Sequence, residues 1–140
     1  MSTPTNLGGL LRDAFRELTE HIHGRLAEQG HPQVRVAHGN VFQFIDDQGT
    51  RVSVLAERAQ MTKQSMGELV AHLESHGYVE RVPDPSDGRA KLVRLTAKGR
   101  KTYPVARAAI AEVEARWGER IGEVKLRRLR ALLEELSDRA

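Results

Sequence analysis

The chain has 140 residues and no cysteine. That excludes a disulfide framework, a thiolate nucleophile, a thiol redox switch and a cysteine-ligated zinc site. It suits a reducing cytoplasm, the expected location. Long apolar runs are missing too: nothing approaches the roughly 18 residues of a membrane span. The N-terminal MSTPTNLGGLLRDAFREL has no basic region leading into an apolar one, so neither a membrane anchor nor a secretion signal is expected. There is no internal repeat and no low-complexity stretch. Also absent are a glycine-rich phosphate loop, a serine–histidine–aspartate arrangement in a strand–turn–helix context, and metal-ligand spacing. Among the six histidines, His21 and His23 are two apart and cannot share a helix face, whereas His72 and His76, four apart, can. With no cysteine to support them they make a weak zinc site, so neither an enzyme nor a metal or other cofactor is expected.

The length suits one compact domain, or one domain with a helical extension. The formal net charge is +3 and the isoelectric point is near 9.6. Distribution says more than the total. Arg51 to Lys101 holds 10 basic and 6 acidic residues, 10 − 6 = +4, while the flanks together are near neutral. An excess in the middle third is what an electrostatic footprint for phosphate looks like. A solvated surface with scattered lysines fits such small counts as well.

Leu11, Phe15, Leu18, Ile22 and Leu26 recur at helical spacing, predicting a helix from Leu7 to about Gln29 that Gly30 and Pro32 end. A second helical pattern runs from Val34 to Ile45, with Ala37, Val41, Phe42 and Ile45 inward. After the turn DDQGT, Thr50 to Val52 suit a very short strand. Ser53 is placed to cap a short helix, Val54 to Ala59. Gln60 and Met61 break it, and Thr62 caps a longer helix from Lys63 to about His76. Met66, Leu69, Val70 and Leu73 form that helix's apolar stripe and Gly77 its end. YVERVP and KLVRLT alternate around DPSDGRA, a hairpin signal. From Thr96 the chain reads as helical almost to its end. Pro104 should kink or interrupt the first of these helices, Gly122 separates the two, and Leu126, Leu129, Leu133 and Leu136 stripe the last.

Two short helices about three residues apart, followed at once by a basic hairpin, make a helix-turn-helix with a wing. In that geometry the first helix braces the second through a small residue, Ala56, against anchors such as Met66 and Leu69. The second offers its front residues, Lys63, Gln64, Ser65, Gly67 and Glu68, to a major groove. Gln pairs with adenine, Ser serves either base, and Lys reaches guanine or phosphate. For that segment alone, an ordinary amphipathic helix fits equally well. Asp87 and Gly88 are turn chemistry. A turn does not need Arg89. At a wing tip it can enter a narrow minor groove, with Asp87 orienting its guanidinium and Lys91 along the phosphates. An exposed cation that keeps the hairpin soluble is the alternative.

The run SVLAERAQMTKQSMGELVAHLESHGYVERVPDPSDGRAKLVRLTAKG resembles the core of MarR-type transcriptional regulators, winged-helix repressors named for multiple antibiotic resistance. The likeness is close from about Arg51 to Gly99, and DGRAK followed by LTAKG carries it. It implies a mainly α fold with a small β-hairpin wing. A helical dimerisation region would accompany the winged helix-turn-helix lobe: residues 1–33 a dimerisation helix, 34–99 the DNA-binding domain, 100–140 the dimerisation helices. It implies a cytoplasmic homodimer on double-stranded DNA, acting on a pseudo-palindromic operator. Thr62 would cap the recognition helix, with Gln64, Ser65 and Glu68 at its front. Lys63 and Lys91 would contact phosphate, and Asp87 and Arg89 would form the wing pair. Leu10, Leu11, Phe15, Ile22, Ile110, Val113, Trp117, Ile121, Leu129, Leu132, Leu133 and Leu136 exceed what one small domain needs, which agrees with a dimer. Family members often bind small aromatic or phenolic effectors between the dimerisation helices and the DNA-binding lobe. That implies Phe15, His38 and Phe42 as candidate contacts, and Trp117 more remotely; for each, a place in the core is the competing reading and the more ordinary one. The competing reading is a non-specific architectural DNA binder without an effector. Gln60, in a turn where many such units have glycine, departs from the common pattern, and so does Gly67 within the recognition helix.

Overall fold

A computed structural model of the chain describes residues 6–137. Residues 1–5, part of the stretch read above for a secretion signal, and 138–140 lie outside the described residues. Helix α1 spans Leu7–Glu28. The Asn6 side chain caps it, accepting the Gly9 N–H at 2.8 Å. At the other end Gly30 takes φ +90°, and the His31 N–H closes back on the Leu26 carbonyl at 2.8 Å. This is the left-handed stop that glycine makes without cost.

The second expected helix is largely absent. Val34–Ile45 forms only a 3-10 turn, Val36–His38, and a four-residue helix α2, Gly39–Phe42. Local side chains compete for its backbone: His38 Nδ1 accepts the Arg35 N–H at 2.8 Å and the Asn40 amide donates to the Ala37 carbonyl at 3.1 Å. His38 is buried where Ala37 was expected to be, and Ala37 is exposed. The expected strand at Thr50–Val52 reduces to one bridge, Thr50 with Val93. Helix α3, Val52–Ala59, starts two residues before the expected position, because the Arg51 carbonyl accepts the N–H groups of Val54 and Leu55; Arg51, not Ser53, occupies the cap position.

Gln60 ends α3 in the left-handed region (φ 56°, ψ 46°), and the Met61 N–H returns to the Ala56 carbonyl at 2.8 Å. It is the one non-glycine residue with positive φ among those described. The turn therefore keeps the backbone shape glycine would give, at a cost of about 1–2 kcal/mol. Helix α4, Lys63–Ser75, buries Met66, Val70 and Leu73. Leu69, an expected anchor, is only half-buried. Strands β1 (Val79–Asp84) and β2 (Asp87–Leu95) form an antiparallel pair. Helix α5 is one turn, Ala97–Arg100. The chain breaks at Lys101 and not at Pro104, which falls in the first turn of α6 (Thr102–Ile121), where a missing N–H costs nothing. Gly122 (φ +95°) separates α6 from α7, Glu123–Ser137.

Packing divides the chain into a central unit, His23–Ala106, and a second unit made of the residues up to Ile22 with those from Arg107 on. Within the central unit His23 Nδ1 bonds the Val34 carbonyl at 3.0 Å, and the Tyr103 hydroxyl donates to the Phe42 carbonyl at 2.7 Å. The core includes Leu55, Ala56, Met66, Val70, Leu73, Tyr78, Val79 and Val93. In the second unit the Glu17 carboxylate accepts from the Trp117 indole (3.1 Å) and Arg116 (3.2 Å), and Arg130 pairs with Glu114. No described helix is long and apolar enough to cross a membrane.

His38 is 4% exposed with both ring nitrogens engaged. Its Nδ1 accepts from Arg35, so Nε2 carries the proton and donates to His72 Nδ1 at 3.1 Å. Burial, then the neighbouring His72, Arg35 and His76, push its pKa from 6.5 to about 4. Between those values the unfolded chain binds a proton that the folded chain does not, so stability falls as pH drops through that window. Denaturant titrations should show a loss of about 2 kcal/mol from this group between pH 7.5 and 5. His38→Gln should remove that part of the profile; an unchanged slope would refute the assignment.

Candidate nucleic-acid interface

The front of α4 is set by its cap. Thr62 Oγ1 accepts the Ser65 N–H at 3.0 Å and donates to Ser65 Oγ at 2.9 Å. Ser65 is then already an acceptor, leaving its own O–H free to donate outward. Lys63, Gln64 and Glu68 are exposed. With Met66, Val70 and Leu73 held in the core, these residues share the opposite, outward side of one helix.

The hairpin differs from the expected one. Its turn is Pro85–Ser86, and β2 already begins at Asp87. Asp84 pairs with Asp87 and Pro83 with Lys91, with an irregularity between Pro83 and Asp84. Gly88, Arg89 and Ala90 therefore have no partner on β1. Arg89 sits just beyond the turn, exposed, in this bulged part of β2. Asp87 Oδ1 accepts the backbone N–H of Arg89 at 3.1 Å, not its guanidinium. Asp84 is buried. Its Oδ1 accepts from the Ser86 N–H (2.9 Å) and hydroxyl (2.7 Å), and its Oδ2 from Arg51 Nε (2.8 Å). Ser86, then Arg51, hold its carboxyl down to about 2.

Ion pairing sorts the basic residues. Arg94 is tied to Glu80 (2.7 Å), Arg81 to Glu74 (3.2 Å), Arg58 to Asp46 (3.1 Å) and Arg51 to Asp84 (2.7 Å). Lys98 donates to the His76 carbonyl and Arg100 to that of Asp47. Of the ten cations in that stretch, Lys63, Arg89, Lys91 and Lys101 make neither an ion pair nor a side-chain hydrogen bond among the described residues. Three of them belong to the expected DNA-contact set. Thus α4 and the wing expose uncommitted donors, and Arg51, Arg58, Arg81, Arg94, Lys98 and Arg100 are engaged within the fold.

Of the expected effector contacts, His38 and Phe42 lie in the central unit and Phe15 in the other. His38 is committed to the relay described above. The Phe42 ring packs edge-on against Tyr103, with centroids 6.1 Å apart. Phe15 belongs to the other unit and is exposed. His72 and His76 approach edge to face at 4.7 Å. No group of three or more potential ligands is arranged for a metal among the described residues.

The model of the MarR family matches residues 33–90. The transcriptional regulator HosA of Escherichia coli O111:H- is 33% identical over 96 residues, 69% of this chain and 68% of HosA. The chain belongs to the MarR family. It is a DNA-binding transcriptional regulator with a winged helix-turn-helix. Among solved MarR-family structures, Rv2887 of Mycobacterium tuberculosis, in complex with salicylic acid, is similar with a TM-score of 0.67 and 27% identity, covering 97% of this chain and 99% of that one. CouR of Rhodococcus jostii RHA1, bound to p-coumaroyl-CoA, has a TM-score of 0.71 and 25% identity, with 96% and 94% covered. CouR on a 23-mer DNA duplex shares the fold, with a TM-score of 0.74 at 23% identity over 98% and 100%.

Sequence reasoning missed Arg51 and Asp84. The signal for Asp84 was present in Asp-Pro-Ser, since an aspartate two residues before a serine closes a turn with its own side chain. Nothing local pointed to Arg51, whose partner is 33 residues away.

A Cβ on Gly67 would meet nothing within 4 Å, so the fold does not require this glycine. Gly67→Ala should raise stability by about 1 kcal/mol. If it also weakens DNA binding, the bare backbone serves close approach to the duplex; unchanged binding would mean glycine is merely tolerated there.

Proposed function

We propose that this MarR-family regulator acts as a homodimeric repressor on a pseudo-palindromic operator. In this reading α4 enters the major groove with Gln64 and Ser65 toward base edges, and Glu68 beside them to accept from a cytosine amine. Arg89 enters the adjacent minor groove, and Lys63 and Lys91 contact phosphate. Thr62 and Asp87 act by holding Ser65 and Arg89. The observation that carries the reading is the coincidence of free donors at α4 and the wing with a bare apolar surface on the other unit. Among the described residues, eleven of the twelve exposed large apolar side chains lie in that unit: Leu7, Leu10, Leu11, Phe15, Ile110, Ile121, Val124, Leu129, Leu132, Leu133 and Leu136. Val113, expected in the dimer surface, is instead fully buried, and Ile22 and Trp117 are half-buried. Within the same unit Trp117, Leu126, Leu129 and Leu133 line an open groove of about 650 Å³. A patch of this kind asks for a partner, and a second copy is the one that supplies two recognition helices.

The relatives support an effector of phenolic character, since one is complexed with salicylic acid and another with p-coumaroyl-CoA. We place release of the operator by such a compound in the same proposal.

In a mobility-shift assay with DNA flanking its own gene, the complex should survive excess non-specific competitor and weaken on adding salicylate or p-coumaroyl-CoA. Loss of the complex to any competitor would favour the architectural reading. Arg89→Ala should cost about 1–3 kcal/mol of specific binding. Sedimentation at micromolar concentration should give a dimer that Leu132→Glu dissociates; a wild-type monomer would refute the dimer.

A further inference from the structure

Thr50 and Arg51 connect parts of the interface that are far apart in the chain. Thr50 exchanges backbone hydrogen bonds with Val93 of β2, at 2.8 and 2.9 Å. Arg51 follows it and starts α3, yet its side chain makes no cap hydrogen bond there. The guanidinium turns to the wing. Nε donates to Asp84 Oδ2 at 2.8 Å, the terminal nitrogen lies 2.7 Å from the same oxygen, and that nitrogen is 3.8 Å from Asp87 Oδ2. These aspartates bracket the turn: Asp84 ends β1 and Asp87 begins β2. The remaining oxygen of Asp84 holds Ser86, and that of Asp87 holds the Arg89 N–H. One guanidinium thus joins the first helix of the helix-turn-helix, both sides of the wing turn and the backbone of Arg89.

The register explains why this matters. Gly88, Arg89 and Ala90 lack partners on β1, so the strand ladder does not fix Arg89. Beside it stands the polar set around Asp84 and Asp87, which takes the Arg89 N–H. A forked, planar cation suits it, because two carboxylates must be reached from one side chain; a lysine offers a point charge. Asp84 also leaves no solvent alternative, its side chain being 9% exposed.

We propose that Arg51 is a positioning residue for the wing: by holding Asp84 and Asp87 it fixes the direction in which Arg89 leaves the hairpin, and it contributes to DNA affinity through Arg89 and not through a contact of its own. The proposal rests on the reading of Arg89 as a DNA contact.

The test is a double-mutant cycle on operator binding with Arg51→Met, Arg89→Ala and both, with thermal melts of each. Arg51→Met should weaken binding roughly ten-fold, and in its background Arg89→Ala should cost less than about two-fold more. Arg51→Lys should recover only part of the loss. Fully additive costs would overturn the proposal, since Arg51 would then act through its own phosphate contact or through global stability. A readout without DNA separates the proposal from its premise. The Arg89 amide resonance should shift, and its solvent exchange quicken, in Arg51→Met. An unmoved Arg89 amide refutes the positioning role whatever the DNA data show. A moved amide with no binding cost for Arg89→Ala upholds the positioning and refutes the wing contact. Should Arg51→Met fail to fold, Asp87→Asn cuts the same link on an exposed side chain and should give the same non-additivity; additivity there overturns the proposal equally.

Discussion

Tyr78 has to be buried with its hydroxyl satisfied, and the central unit is organised around that requirement. The ring is fully excluded from solvent. Its hydroxyl meets Gln33 Oε1 at 3.2 Å and His31 Nδ1 at 2.9 Å, which holds the segment after α1. Its N–H returns to the Leu73 carbonyl, closing α4, and its carbonyl accepts from Thr96, starting α5. The Lys98 ammonium lies over the ring face, 4.4 Å from the centroid. Gly99 has no side chain for the same reason, since a Cβ there would stand 2.1 Å from the Tyr78 carbonyl oxygen. The recognition helix and the wing therefore leave one residue in fixed directions.

On that scaffold, charge is divided into two classes. Cross-strand and helix-to-strand pairs such as Arg94–Glu80 and Arg81–Glu74 are exposed, so each adds little stability. Their larger effect is to neutralise the flank of the hairpin, which leaves Arg89 and Lys91 as the wing cations without an ion pair among the described residues. A basic face assembled this way is smaller than the count of arginines suggests, and more directional.

The elements with strong periodicity were legible from residue types alone. Helix α1, the capped α4 and the hairpin follow from spacing, a threonine cap and turn residues; both helices lie within one residue of their expected bounds, whereas β2 starts four residues early, at Asp87. The stretch after α1 was not legible. Its apolar spacing is helical, but His38 and Asn40 divert backbone groups, an effect that depends on tertiary burial of the His38 ring. The exposed front of α4 was readable because exposure follows from which residues are buried. The placement of Arg89 was readable only in part: its exposure follows from the turn chemistry, but the bulge that frees it depends on Asp84 closing its own turn. Arg51 was invisible, being a surface arginine by every local measure until Asp84 is brought beside it.

Gln60 carries a consequence for how this helix-turn-helix varies. The left-handed angle there is a property of the backbone, and it lets the Met61 N–H close on the Ala56 carbonyl. The side chain at position 60 is exposed and bonded to nothing in the structure. Residue identity at this corner is thus constrained by torsional tolerance. Asparagine or glycine can stand there with less strain, whereas valine or isoleucine would turn the hinge of the reading head into its weakest joint.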